Sequence, residues 1–81
     1  MKVEVLGIGC KRCEQLYENA LAAASSFGPD AGIGVEKIGD VNYFTRMGVF
    51  MTPALVIDGE VVAVGKVLPA EDIQKHIQER R

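Results

Sequence analysis

The sequence has no tryptophan, few aromatic residues, only two cysteines and no long apolar run. Aromatic residues make up 6% of its 81 residues, so a hydrophobic core must be built from aliphatic side chains. The 48% of hydrophobic residues is enough for one small core, and the length leaves no room for a second domain. We therefore expect residues 1–81 to form a single domain.

The charge balance and the hydropathy pattern exclude two classes of partner. Nine Lys and Arg face eleven Asp and Glu, whereas nucleic-acid binding without sequence preference needs a basic face. No segment approaches the roughly 18 apolar residues of a membrane span. The N-terminal residues also lack the apolar stretch of a signal peptide. The expectation is a cytoplasmic protein with no nucleic-acid and no membrane partner.

Hydrophobic periodicity predicts four strands and three helices. Runs rich in Val, Leu and Ile predict the strands, at residues 2–8, 33–38, 54–57 and 61–64. Helical spacing and capping residues predict the helices, at residues 11–27, at residues 41–47 after the N-cap Asp40, and from Leu68-Pro69 onward. The buried stripe predicted for the first helix comprises Cys13, Leu16, Tyr17, Ala20, Leu21, Ala24 and Phe27.

The order β-α-β-α-β-β-α predicts how these elements assemble. Strands one and two are joined through a helix, so they should lie parallel. Asp58-Gly59 is a strong turn signal between strands three and four, which should form an antiparallel hairpin. The predicted fold class is therefore α/β, with a four-stranded mixed sheet and helices on both faces.

The two cysteines, in the run Cys10-Lys11-Arg12-Cys13, lie between the first predicted strand and the first predicted helix. Thiols at positions i and i+3 of a first helical turn are close enough to form a disulfide, and the helix N-terminus favours a thiolate. In a cytoplasmic protein such a pair is typical of catalysis or metal binding rather than of a structural disulfide. The pattern leaves both open.

Three runs together resemble the thioredoxin/glutaredoxin superfamily, and within it the small prokaryotic thioredoxin-like proteins often called the redox-active disulfide protein 2 family. The runs are residues 7–13, residues 48–59 with Thr52-Pro53 and Asp58-Gly59, and residues 61–66. The resemblance covers nearly the whole chain. It implies a minimal, glutaredoxin-type thioredoxin-like fold and a thiol–disulfide oxidoreductase that serves electron transport and cell redox homeostasis.

The resemblance also implies a role for each site residue. Cys10 matches the nucleophile and Cys13 matches the resolving thiol. Pro53 matches the cis-proline of the family, and the backbone of Thr52 would pair with an extended substrate segment. The charges of Lys11 and Arg12 are expected to favour the thiolate form of Cys10.

No bound cofactor is needed, because the two sulfurs carry the chemistry. The implied substrates are protein or small-molecule disulfides, the implied electron donor resembles thioredoxin reductase, and the protein is expected to be a monomer. Substrate choice should lie in the surface around Ile8, Phe50, Met51 and Gly65. Glu4 lies six residues before Cys10, where thioredoxins bury an acidic residue, but we expect it to face solvent.

Two other functions use the same residues. A CxxC pair can carry copper(I), zinc or arsenic, although two thiols alone are too few for a closed zinc site. Small metallochaperones, however, end in a strand, whereas this chain is predicted to end in a helix. The other alternative is an adaptor that binds extended peptides beside Thr52-Pro53 without exchanging disulfides.

Overall fold

Four strands and three helices alternate along the chain in a computed structural model that describes residues 1–81. The strands are β1 (Lys2–Leu6), β2 (Gly34–Ile38), β3 (Ala54–Ile57) and β4 (Glu60–Val64). The helices are α1 (Lys11–Ser25), α2 (Val41–Arg46) and α3 (Ala70–Glu79), with a short 3-10 turn at Pro29–Ala31. The predicted element order and the α/β fold class are confirmed.

The strands form one mixed sheet in the order β2-β1-β3-β4. β1 pairs with β2 in parallel and with β3 antiparallel, and β3 pairs with β4 antiparallel. In the hairpin turn Asp58 has φ 49° and Gly59 has φ 83°, the left-handed pair that a tight two-residue connection requires. Asp58 Oδ1 also accepts a hydrogen bond from the Lys2 backbone N–H at 2.7 Å, which ties the turn to the start of β1.

Helices cover both faces of the sheet, and each face has its own hydrophobic cluster. α1 and α3 cover the larger cluster, which includes Val3 and Val5 of β1. α2 covers a smaller cluster of Leu6, Phe44, Val49, Ala54 and Val56. Because successive strand residues point to opposite faces, β1 contributes to both clusters. This central strand is therefore buried on its two sides.

The buried face of α1 differs from the predicted stripe. The fully covered residues are Cys13, Leu16, Ala20 and Ala23, while Leu21 is 40% exposed. The helix also ends at Ser25 rather than at residue 27. Its last turn tightens, because the Phe27 and Gly28 N–H groups bond to carbonyls three residues back, so the α-helical pattern stops early.

None of the helices combines the length and the apolar character that crossing a membrane requires.

Candidate active site

The two cysteines lie at the start of α1, just after the loop that connects it to β1. Gly9 has φ 92°, a conformation that suits glycine and turns the chain into the helix. Cys10 follows as the N-cap of α1, with extended backbone angles, and its Sγ accepts a hydrogen bond from the Cys13 backbone N–H at 3.3 Å. Cys10 is exposed, whereas Cys13, one turn into the helix, is only 3% exposed.

The two sulfurs are in contact but are not equivalent. The Sγ atoms of Cys10 and Cys13 lie 2.7 Å apart, and both residues are free thiols. Hydrogen bonds from the Cys13 side chain and then from its backbone N–H lower the pKa of Cys10 below its ordinary value. Burial, followed by the hydrogen bond to Cys10, raises the pKa of Cys13. The exposed sulfur therefore favours the thiolate, and the buried sulfur keeps its proton.

The Arg12 side chain bonds to another loop. Its guanidinium donates a hydrogen bond to the Gly65 carbonyl, in the loop between β4 and α3, at 2.8 Å. Arg12 does help to lower the pKa of Cys10, but through its backbone N–H and not foremost through its charge. Lys11 is exposed on the first turn of α1. Tuning of the thiolate by these two charges stays a prediction.

Thr52 and Pro53 immediately precede β3, and the peptide bond between them is cis. Sheet register brings them to the cysteine end of the sheet, because Ala54 pairs with Leu6, the last residue of β1. The Pro53 carbonyl accepts a hydrogen bond from the Gly65 N–H at 2.8 Å. Arg12 bonds to the carbonyl of the same Gly65. Hydrogen bonds therefore join α1, the β4–α3 loop and the loop of Thr52 and Pro53 at one end of the sheet.

Three large apolar side chains are exposed near this end of the sheet. Ile8 is 72% exposed between β1 and the cysteines, and Phe50 and Met51, just before Thr52-Pro53, are 84% and 64% exposed. The Met51 side chain lies beside Gly65. Grouped apolar side chains on a small soluble domain are typical of a contact surface.

Glu4 is buried, so the expectation that it faces solvent is wrong. It is 3% exposed, and its carboxylate accepts a hydrogen bond from the Tyr43 hydroxyl at 2.8 Å. The Lys2 Nζ lies 3.8 Å from the same carboxylate. A buried carboxylate needs such partners, and Tyr43 supplies one from α2. Glu4 therefore lies on the α2 face of β1, opposite the face that α1 and Cys13 cover.

A cavity of about 180 Å³ borders the buried cysteine, and sequence reasoning did not identify it. It is lined by Val5, Gly7, Gly9, Cys13, Glu14 and Lys37. At its edge the Lys37 Nζ bonds to the Glu14 carboxylate at 3.0 Å. The two residues are 23 positions apart in the sequence, and they meet because β2, which pairs with β1, lies beside α1.

The two thiols are the main reactive groups of this site, and few other metal-ligand atoms lie near them. No group of three or more His, Cys, Asp or Glu side chains is placed to hold a metal ion. The thiols of Cys10 and Cys13 are thus the donors that a metal at this site would meet. Chemically, an exposed thiolate beside a protonated buried thiol can form and break disulfides.

Comparison with known proteins agrees with this geometry. Residues 1–78 match the thioredoxin domain family. A thioredoxin from Methanothermobacter thermautotrophicus is 36% identical over 75 residues, which cover 93% of this chain and 95% of the relative. A thioredoxin from Methanocaldococcus jannaschii is 36% identical over 76 residues, which cover 94% of this chain and 85% of the relative. Because the family match and both relatives span almost the whole chain, the chain belongs to the thioredoxin domain family.

Proposed function

We propose that the protein catalyses thiol–disulfide exchange, with Cys10 as the nucleophile and Cys13 as the resolving thiol. The observation that carries this proposal is the opposite character of two sulfurs 2.7 Å apart. Cys10 is exposed and has a lowered pKa, while Cys13 is buried and has a raised pKa. Membership of the thioredoxin domain family supports an oxidoreductase in general terms.

The reaction has two steps, and each one exchanges a sulfur–sulfur bond. The Cys10 thiolate attacks one sulfur of a substrate disulfide; the substrate S–S bond breaks, and the departing thiolate takes a proton from solvent. This leaves a mixed disulfide on Cys10. Cys13 then loses its proton and attacks the Cys10 sulfur, which releases the second substrate thiolate. The substrate gains two electrons, and the Cys10–Cys13 pair becomes a disulfide.

An extended substrate segment is proposed to lie along Thr52 and Pro53. The backbone of Thr52 precedes β3 and takes part in none of the hydrogen bonds of the surrounding loops, so it is available for pairing. The Pro53 carbonyl is already bonded to Gly65. The exposed side chains of Ile8, Phe50 and Met51 would contact apolar substrate residues on either side.

We also propose the substrates, the electron donor, the compartment and the oligomeric state. Protein or small-molecule disulfides are the substrates, a reductase of the thioredoxin-reductase kind restores the dithiol, and the protein works as a cytoplasmic monomer without a bound cofactor. The names of the two archaeal relatives support the substrate class and the donor class. A compartment that keeps thiols reduced suits a catalytic pair rather than a structural disulfide.

The first experiment is a redox titration of the cysteine pair against defined thiol buffers, read by alkylation and mass spectrometry. We expect one two-electron transition between about −120 and −270 mV, the range of known exchange catalysts. Cys10→Ser should abolish exchange, and Cys13→Ser should accumulate the mixed disulfide. Full activity in both variants would contradict the assigned roles.

The same titration tests the alternatives. If no intramolecular disulfide forms, a carrier of copper(I), zinc or arsenic becomes the better account, and copper(I) affinity is the next measurement. If a disulfide forms but no substrate is turned over, a peptide-binding adaptor is favoured instead.

A further inference from the structure

Position 7 requires glycine because a side chain would not fit there, and not because the backbone conformation is restricted to glycine. A Cβ atom placed on Gly7 would overlap Cys13 Sγ and would lie 2.8 Å from Cys13 Cβ. Its φ lies outside the left-handed region, in contrast to Gly9 with φ 92°. Other residues could adopt the backbone of Gly7, but none could fit a side chain there.

The sheet fixes the direction in which a side chain at position 7 would point. The Gly7 N–H donates to the Ile38 carbonyl at 2.9 Å, so Gly7 extends the pairing of β1 with β2 by one residue. Val3 and Val5 point into the cluster that α1 covers, and residue 7 follows them in the same alternation. Any Cβ at this position is therefore aimed at the first turn of α1.

Rotation of the Cys13 side chain cannot relieve this contact. The helix backbone sets the position of the Cys13 Cβ, and the distance of 2.8 Å to that atom is already too short. Cys13 Sγ also lies 2.7 Å from Cys10 Sγ, so it has little room to shift while that contact is kept. A side chain at position 7 would thus force either the end of β1 or the start of α1 to move.

We propose that Gly7 is a positioning residue for the resolving thiol, and this inference rests on the proposed function. The missing side chain lets the first turn of α1 approach β1 closely enough to hold Cys13 Sγ against Cys10 Sγ. The cavity that borders both Gly7 and Cys13 leaves open space next to this contact, into which a displaced side chain can move. A methyl group at position 7 is therefore expected to displace Cys13 Sγ from its present position against Cys10 Sγ.

Such a displacement acts on one step of the reaction. Attack by Cys10 uses an exposed sulfur at the helix N-cap and does not require Cys13 to move. Resolution requires Cys13 Sγ to meet Cys10 Sγ in line with the mixed disulfide. Misplacement of reacting atoms by about 1 Å can cost on the order of a hundredfold in rate. Gly7 should therefore matter most for the second step, while the first step should change only through the thiolate fraction of Cys10.

The test uses Gly7→Ala and an aromatic disulfide, 5,5′-dithiobis(2-nitrobenzoate), with the reduced full chain. Attack by Cys10 releases one coloured thiolate, and resolution by Cys13 releases the second. We expect the second phase to slow by about tenfold or more, with the first phase, corrected for the thiolate fraction of Cys10 measured by alkylation, within about twofold of wild type. The control is Gly34→Ala, because a Cβ at this strand glycine meets nothing within 4 Å. A folded Gly7→Ala variant with an unchanged second phase would overturn the inference.

A stability measurement keeps the inference testable if Gly7→Ala folds poorly. Cys13→Gly removes both atoms that the new methyl group would meet. Gly7→Ala should lower the urea midpoint in the wild-type background and leave it nearly unchanged in the Cys13→Gly background. Equal losses in both backgrounds would overturn the inference. A wild-type chain that lacks both phases would instead refute the proposed function, while the two urea midpoints would still decide the role of Gly7.

Discussion

Tyr43→Phe removes the hydrogen bond that the buried carboxylate of Glu4 accepts. It removes one hydroxyl and keeps the aromatic ring, which packs beside the cluster under α2. The hydroxyl donates to Glu4 at 2.8 Å, and Glu4 is 3% exposed. In the variant only the Lys2 ammonium, at 3.8 Å, remains near the carboxylate.

The expected loss of stability follows from the charge and burial of the acceptor. A hydrogen bond to a charged group contributes about 1.5–3 kcal/mol, and a buried acceptor without its donor keeps its desolvation cost. We expect Tyr43→Phe to lower the free energy of unfolding by about 2 kcal/mol. For a domain of this size that corresponds to a fall in Tm of roughly 8–16 °C.

The assay is urea unfolding at neutral pH, with Tyr17→Phe as the matched control. The Tyr17 ring is half-buried and lies 4.8 Å from the Lys37 ammonium, which it meets with its face, so its hydroxyl should matter little. Glu4→Ala and the double variant complete a double-mutant cycle. In the Glu4→Ala background, Tyr43→Phe should leave the free energy of unfolding almost unchanged. A loss below about 0.5 kcal/mol, or no coupling to Glu4, would refute the reasoning.

The same contact predicts a dependence on alkaline pH. The hydrogen bond to Glu4 raises the pKa of Tyr43 above its ordinary value of 10.0. The folded state therefore holds the phenol proton more tightly than the unfolded state. This stabilisation is fully present below pH 10.0 and is lost as the pH rises through the folded pKa. The urea midpoint of wild type should fall more steeply in that window than the midpoint of Tyr43→Phe.

Three further predictions concern the active-site thiol, a helix cap and the core. The pH midpoint for alkylation of Cys10 should lie below 9.0 and should rise in Cys13→Ala, because Cys13 is the first cause of its lowered pKa; an unchanged midpoint would contradict this. Asp40→Ala should cost about 1 kcal/mol in urea unfolding, because Asp40 caps α2 by accepting from the Asn42 N–H at 2.9 Å, whereas Asp40→Asn should cost much less. Ile73→Ala should cost about 2–5 kcal/mol, because this side chain is fully buried in the larger cluster; a cost below about 1 kcal/mol would show that the site collapses around the gap.

Much of the fold could be predicted because its signals are local. The bounds of β3 follow directly from an apolar run between a proline and the Asp58-Gly59 turn, and Asp40 caps α2 as its residue type predicts. The end of α1 was harder to predict, because a tightened last turn depends on hydrogen-bond geometry and not on hydrophobic spacing. Leu21 was placed on the buried stripe although the sheet and α3 cover the neighbouring row of α1 instead.

The site was predictable where its residues are close in sequence and not where tertiary structure joins them. The spacing of Cys10 and Cys13 is visible in one helical turn. Glu4 and Tyr43 are 39 positions apart, and their contact depends on α2 crossing one face of β1. Alternation alone could not show that both faces of this strand are covered. The need for glycine at position 7 was hidden for the same reason, since the atoms it avoids belong to another element.

The central place of β1 has a consequence for the exchange of amide hydrogens. β1 is paired on both edges, with β2 and with β3, and helices cover both of its faces. Its amide hydrogens should therefore exchange last, at a rate set by opening of the whole domain. The cysteine loop follows directly on this strand, so local opening elsewhere in the domain should leave the start of the loop in place.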